Sequence, residues 1–266
     1  MMRIAIAGAN SFIGKRLIPI ALQNKDTEII AVIRNSKRRE KSVIHDRLKF
    51  LVCDMKDYDE IGRFVGKCDA FIDLSWAGSR GADRQDHDMQ KFNYACNMAA
   101  MKSMADAGCR TLVSAGSQAE YGICEGIITE ETECNPNTEY GKYKLEIYNY
   151  TKSICDNYKI RFIEPRYFSL YGPGDYEKTL IVSCMKKMLN GEDVKLNSCT
   201  QFWDYMYVDD AVKILLKLIY QDSVTGVFNF VTGEYKKLYE YIFEMRNALD
   251  SSSMLDFSGE WGGTDD

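Results

Sequence analysis

The chain has 266 residues, 34 Lys and Arg against 39 Asp and Glu, and a formal net charge of −5, which offers no basic footprint for nucleic acid or an anionic membrane. Its hydrophobic content of 45% is ample for one large domain or two unequal ones. Nine scattered cysteines with no Cys-x-x-Cys pair, and only two histidines, argue against a disulfide scaffold and against a metal site.

Met1 to Gly8 is too short, and too soon broken by glycine, for a secretory leader. No apolar run approaches the ~20 residues that span a bilayer, so a soluble, cytoplasmic protein is expected. Arg3 to Ala7 reads as a buried strand that runs directly into Gly8-Ala9-Asn10-Ser11-Phe12-Ile13-Gly14, followed by a helical pattern through Leu17, Ile20 and Leu22. Strand, glycine turn and helix together form a dinucleotide-binding signature. Gly8 permits the turn, Gly14 lets helix and strand approach, and amides at the helix start face a pyrophosphate. Ser11 stands where the middle glycine of that pattern is usual.

Glu28 to Ile33 is a second strand ending in Arg34-Asn35-Ser36-Lys37-Arg38. A site for NAD has an acid here to bind the ribose 2′-hydroxyl. Arg34 and Lys37 instead suit a 2′-phosphate, so NADP(H) is favoured and NAD(H) is the alternative. Lys49 to Cys53 is a third strand, with Asp54 and Met55 placed to edge an adenine. Asp57 to Val65 is a helix. Ala70 to Ser75 is a fourth strand whose end, Leu74-Ser75-Trp76, would border the cofactor. A helix follows from about His87, and Arg110 to Ser114 is a fifth strand closing on Ala115-Gly116-Ser117-Gln118.

Asn135 to Thr138 signals a helix start just before Tyr140-Gly141-Lys142-Tyr143-Lys144. One turn apart on a helix, Tyr140 and Lys144 share a face. An ammonium beside a phenol is expected to lower the phenol's pKa and make it a usable acid or base, with Ser117 bonding the same substrate oxygen. Arg161 to Glu164 is a sixth strand. Beyond it come a helix over Leu180 to Leu189, a strand over Val194 to Leu196, an extended stretch over Gln201 to Tyr207, a helix capped by Asp209 and Asp210, a strand over Val227 to Val231 and a helix over Leu238 to Leu249. The tail from Asp250 is expected to fray.

Strands alternating with amphipathic helices imply an α/β fold, a doubly wound parallel (Rossmann) sheet with a smaller C-terminal substrate-binding subdomain. Residues 1–165, with 201–231 returning to them, would form the dinucleotide-binding domain. Residues 166–200 and 232–266 would form the substrate-binding part.

Gly8 to Gly14, Ser117, Tyr140-x-x-x-Lys144 and Tyr171-Gly172-Pro173-Gly174, in this order, resemble the extended short-chain dehydrogenase/reductases. Within them the chain resembles the NAD(P)-dependent nucleotide-sugar epimerase/dehydratase family, from Met2 to about Leu249. The resemblance implies that Tyr140 is the general acid/base, that Lys144 holds the nicotinamide ribose, and that Ser117 bonds the sugar. It also implies that Pro165 lies near the nicotinamide and that Asn93, with Asn97, tethers the chain beneath the cofactor. Gln118, Arg166, Phe168, Ser169 and Trp203 would face a nucleotide-sugar substrate, and pairing through helices as in many relatives would give a homodimer. Trp203 stands for the family's usual arginine, Ser169 for its asparagine, and Asp73-Leu74-Ser75-Trp76 for its His-Leu-Ala-Ala. These departures leave the hydride chemistry intact and bear on the substrate. An epimerase or a 4-ketoreductase acting at C4 of a nucleotide-linked hexose is expected. A dehydratase is disfavoured because Gln118 follows Ser117, with no Asp-Glu pair. The reading from another class is a redox sensor that holds dinucleotide without turnover.

Overall fold

A computed structural model describes residues 1–35 and 45–259, so Lys37 lies outside the described residues. The chain divides into two compact units, Met1–Tyr167 with Val208–Phe230, and Phe168–Tyr207 with Val231–Asp266.

The first unit is built on a parallel sheet. Its strands are β1 (Met2–Ala7), β2 (Thr27–Ile33), β3 (Leu48–Val52), β4 (Ala70–Asp73), β5 (Thr111–Ser114), β6 (Gly116–Ser117), β7 (Arg161–Tyr167) and, after an excursion into the second unit, β12 (Gly226–Phe230). The spatial order is β12-β7-β5-β4-β1-β2-β3, with β6 continuing β5 alongside β7. Order reverses beside β1, and the crevice outside the strand ends there is where doubly wound sheets take ligands.

Near-continuous Ile, Val, Ala and Phe runs bury the central strands β1, β2, β4 and β5 on both faces, while β3 and β12 at the two edges are partly exposed. On one face Ala5, Ile30, Phe71 and Leu112 meet α2 (Ile61–Val65) and α3 (His87–Asp106) through Ile61, Val65, Ala100, Met101 and Met104. Helix α4 (Glu139–Tyr158) packs against α3. Helices α1 (Phe12–Ala21) and α6 (Val208–Tyr220) pack against each other, α1 lying on β2 and α6 on β7. The expected cap at Asp209 proves to be a tie between helices. Its carboxylate takes both Nε and Nη2 of Arg16 at 2.6 Å.

The stretch expected as one helix over Asp57 to Val65 is a 3-10 turn (Met55–Glu60) and then α2, broken where Asp57 leaves helical dihedrals. Asp54 caps the turn by accepting from the Lys56 amide, a local bond that competes with a continuous helix.

The second unit holds β8 (Ser169–Tyr171), α5 (Leu180–Leu189), β9 (Val194–Lys195), β10 (Phe202–Trp203), β11 (Tyr205–Tyr207), β13 (Lys236–Lys237), α7 (Leu238–Ala248) and β14 (Leu255–Asp256). Cys184, Met188, Val194 and Ile242 form its core. Two expectations are corrected here. Residues 201–207 do not return to the first unit, because β11 pairs in parallel with β8 and β10 with β13. The segment from Asp250 does not fray over its described part. β14 pairs with β9, and Ser251 donates to the Met188 carbonyl. No described helix is long and apolar enough to cross a membrane.

Candidate active site

Gly8 ends β1 with φ +69°, a region L side chains rarely adopt. A Cβ there would meet the Leu74 carbonyl at 2.6 Å and the Ser75 amide at 2.7 Å. The β1 turn and the end of β4 therefore touch backbone to backbone, beside the strand-order reversal. Ser11 resolves its departure from the glycine pattern by capping α1, its hydroxyl accepting from the Gly14 amide at 3.0 Å. Phe12 and Ile13 open the helix, and the Asn10 side-chain amide is buried there without a hydrogen-bond partner. A glycine-built crevice at a helix N-terminus, with an unpartnered polar group in it, fits the pyrophosphate of a dinucleotide.

Arg34, just past β2, and Asp54, just past β3, line one open cleft of about 480 Å³ with Lys56 and Phe64, within the range of small-molecule sites. Met55 begins the 3-10 turn beside it.

Beyond β4 the loop is held from α3. Asn93 accepts from the Ala77 amide (3.0 Å) and donates to its carbonyl (2.7 Å), and Asn97 donates to the Ser75 carbonyl (3.2 Å). Gln90 does most of this work and was missed from the sequence. It accepts from Trp76 Nε1 (2.7 Å) and donates to the carbonyls of Gly78 and Asp83. Gln90, Asn93 and Asn97, spaced three and four apart, lie on one helix face, and a polar stripe at that spacing on a helix otherwise facing the core was the available signal.

Tyr140 and Lys144 stand one turn apart on α4, which Thr138 caps by accepting from the Gly141 amide at 3.0 Å. Gly141 is required by close approach. A Cβ would lie 2.3 Å from the Ala119 carbonyl, so only glycine lets α4 seat on the 3-10 turn Gln118–Glu120. That seating brings the Tyr140 phenol near the Ser117 side chain, which favours its ionised form. Ser117 is fixed in turn. Its hydroxyl accepts from the Ala119 amide (3.2 Å), and its own amide donates to Glu120 Oε1 (2.7 Å).

The electrostatics differ from the expectation. Burial pushes the Tyr140 phenol up, opposed by the nearby Ser117 hydroxyl and by Arg84, whose guanidinium carbon lies 5.2 Å from the ring centre. The Lys144 ammonium is 5.8 Å from that ring centre. It donates to the Ala115 carbonyl at 2.8 Å and lies 3.7 Å from the centre of the Trp76 ring. Trp76 in turn meets Tyr140 edge-on at 5.9 Å. Burial pushes Lys144 down to about 8. In this pair it is the lysine that is tuned toward neutrality, because both groups have lost water and an ammonium is destabilised by that loss.

Arg166, expected to face substrate, is only 3% exposed and is spent on a buried cluster. Its Nε bonds Glu120 Oε2 at 2.8 Å and Glu164 Oε1 at 3.0 Å. Glu164 and Arg166, two apart on β7, necessarily share a face of the strand. Burial beside Glu120 pushes the Glu164 carboxyl well up. Pro165, expected near the nicotinamide, lies within β7 opposite Phe228, two residues short of Tyr167, the residue level with Ser117. Phe168, Ser169 and Trp203 belong to the second unit. There the two departures from the family pattern satisfy each other, Trp203 Nε1 donating to the Ser169 hydroxyl at 2.7 Å.

Comparison with known proteins agrees with this arrangement. The NAD dependent epimerase/dehydratase family matches over residues 4–230. A dTDP-6-deoxy-L-talose 4-dehydrogenase (NAD(+)) of Aggregatibacter actinomycetemcomitans is 23% identical over 89% of this chain and 87% of its own. An ADP-L-glycero-D-manno-heptose-6-epimerase of Brachyspira hyodysenteriae is 25% identical over 94% of this chain and 82% of its own. Among solved structures, a UDP-N-acetylglucosamine 4-epimerase of Methanobrevibacter ruminantium in complex with UDP-N-acetylmuramic acid superposes with a TM-score of 0.86 at 18% identity, covering 98% of this chain and 87% of its own. A UDP-glucuronic acid 4-epimerase of Bacillus cereus in complex with NAD superposes at 0.82 and 19% identity, covering 96% and 86%. The glycine crevice, the two wound halves of the sheet and the family match over residues 4–230 place this chain in the NAD-dependent epimerase/dehydratase family.

Proposed function

We propose that the chain is an epimerase or 4-ketoreductase acting at C4 of a nucleotide-linked hexose, with Ser117, Tyr140 and Lys144 as its catalytic set. The observation that carries this reading is the seating of α4 on the 3-10 turn after Ser117, which Gly141 permits and which sets Tyr140 near Ser117, with Lys144 one helical turn away at the ligand-binding end of the sheet. When bound, a nicotinamide would supply or take up the hydride. Gly8, Asn10, Ser11 to Gly14 and Asn93 would hold the dinucleotide, with Leu74, Ser75 and Trp76 along its nicotinamide half and Asp54 and Met55 at its adenine. Arg34 favours a 2′-phosphate and hence NADP(H), although the Bacillus cereus neighbour holds NAD.

Tyr140 rests as a neutral phenol, since burial raises it, and so stands ready to donate its proton to a sugar ketone oxygen. Ser117 shares that oxygen and limits the charge that develops on it. Lys144 supplies a cationic donor on the same side. Proton donation of this kind is worth about 10²–10⁴-fold in rate.

Tyr140→Phe tests the assignment. Turnover of a nucleotide-linked 4-keto sugar should fall by about 10²-fold or more, with dinucleotide affinity kept. A variant that turns over normally ends the catalytic reading and leaves a dinucleotide sensor. Tightly held NAD released from the purified protein would mark the epimerase, and stoichiometric NADPH oxidation the reductase.

A further inference from the structure

Gln90, on α3, is an uncharged side chain with no exposure to solvent. Its Oε1 accepts from Trp76 Nε1 at 2.7 Å and from Asn93 Nδ2 at 3.4 Å, and its Nε2 donates to the carbonyls of Gly78 at 2.7 Å and Asp83 at 2.8 Å. Both ends of the amide are thus fully used. Only one orientation serves, because an indole N–H can only donate and a peptide carbonyl can only accept. Gly78, at φ +63°, lets the loop fold back on itself, since a Cβ there would run into Met89 Sδ and lie 2.9 Å from Asp83 Cβ.

The two carbonyls that Gln90 gathers flank the two side chains by which this loop reaches Tyr140 and Lys144. Gly78 is two residues after Trp76, whose ring centre lies 3.7 Å from the Lys144 ammonium and, edge-on, 5.9 Å from that of Tyr140. Asp83 is one residue before Arg84, whose guanidinium carbon lies 5.2 Å from the Tyr140 ring centre. Gln85, next along, accepts from the amide of Glu139, the first residue of α4, at 3.3 Å. Dispersion contacts are non-directional, and the indole has a single polar atom, so the bond at Nε1 is what fixes where the ring faces.

We propose that Gln90 is a positioning residue for Tyr140 and Lys144: by closing the loop from Trp76 to Arg84 it sets the indole face against the lysine, and it does not touch substrate. Its importance for turnover rests on the catalytic reading of those two residues, whereas the placement of the indole is a property of the cofactor-free chain.

The test is a proton–carbon NMR spectrum of the cofactor-free protein carrying 13C-labelled lysine. A side chain held against an aromatic face is shielded. The Lys144 Cε protons, identified by their loss in Lys144→Arg, should therefore resonate upfield of those of the other lysines and rejoin them in Trp76→Leu. Gln90→Met keeps the length of the side chain and removes its hydrogen bonds. It should abolish most of that upfield displacement and lower kcat by about 10- to 10²-fold, with the KM for the sugar nucleotide changed less than about twofold. A wild-type Lys144 signal that is not displaced overturns the proposal, and this measurement does not depend on any variant folding. A Gln90→Met spectrum in which Lys144 keeps its upfield position overturns it equally, as does an unchanged kcat in that variant. Turnover by Tyr140→Phe, measured separately, decides the catalytic reading without bearing on the Lys144 signal.

Discussion

The Lys144 ammonium lies 3.7 Å from the centre of the Trp76 indole ring. A desolvated cation over an aromatic face gains about 2 kcal/mol, so Trp76 supports the charged form of Lys144 from one side. Gln90 fixes the indole by accepting from its Nε1, which sets the ring's tilt against both Lys144 and Tyr140.

Trp76→Leu should therefore lower the Lys144 pKa further and move the alkaline limb of the kcat/KM profile below its wild-type position near pH 8 by about 0.5–1 unit. Trp76→Phe keeps an aromatic face and should hold the limb close to wild type. Equal limbs in Trp76→Leu and wild type would remove the indole from the electrostatics of the site.

Lys144→Met should separate stability from activity. The folded pKa of Lys144 is depressed, so between about 8 and 10.5 the unfolded chain binds more protons and stability rises with pH. Below about 8 the full cost of burying the ammonium applies. Removing the charge should raise Tm at pH 7 by about 2–4 °C, allowing for the lost bond to Ala115, with little gain at pH 10. Turnover should be lost. A drop in Tm at pH 7, read by calorimetry, would contradict this sign.

The Glu120–Arg166–Glu164 cluster predicts an asymmetry. Glu164 is raised well above its usual value, so the folded chain holds the extra proton and stability declines as pH rises through that folded value. Asp73 contributes a decline of the same sign, complete by about pH 6. Glu164→Gln should therefore flatten the fall in Tm with rising pH and be neutral or stabilising at its alkaline end. Arg166→Met leaves two carboxyls without their cation and should cost about 3–5 kcal/mol by denaturant unfolding.

Arg34 predicts the choice of cofactor. Arg34→Ala should weaken NADPH binding about tenfold, or ~1.4 kcal/mol, and change NADH binding by less than about twofold. Calorimetric titration of both nucleotides reads this directly. A wild-type protein that binds NADH more tightly, unaffected by the substitution, would favour NAD.

Much of the first unit was legible because its signals are local. Buried apolar runs at Arg3 to Ala7 and Glu28 to Ile33, a glycine turn after the first, and helices between strands are enough to specify a wound parallel sheet. The approach of Tyr140 to Ser117 was legible only as an expectation of family order. What enforces it is Gly141, whose missing side chain admits the Ala119 carbonyl, a contact with no periodic signature. Arg166 was misplaced because a charged residue invites a ligand, although its i−2 neighbour Glu164 already placed a partner on the same strand face. Trp203 and Ser169 each read as an isolated loss, and their mutual hydrogen bond spans 34 residues. The direction of the Tyr140 shift was missed because neighbour and solvent act oppositely, and how far each group is buried emerges only from packing.

The Leu255–Asp256 pairing with β9, together with the Ser251 bond to Met188, has a practical corollary. Leu255 and Phe257 pack on the core formed by Cys184, Met188, Val194 and Ile242, so this turn-and-strand works as a stitch closing the smaller unit's hydrophobic seam. Trimming a clone after the final helix, which its serine-rich composition invites, would unpick that seam and bare an apolar groove to neighbouring molecules.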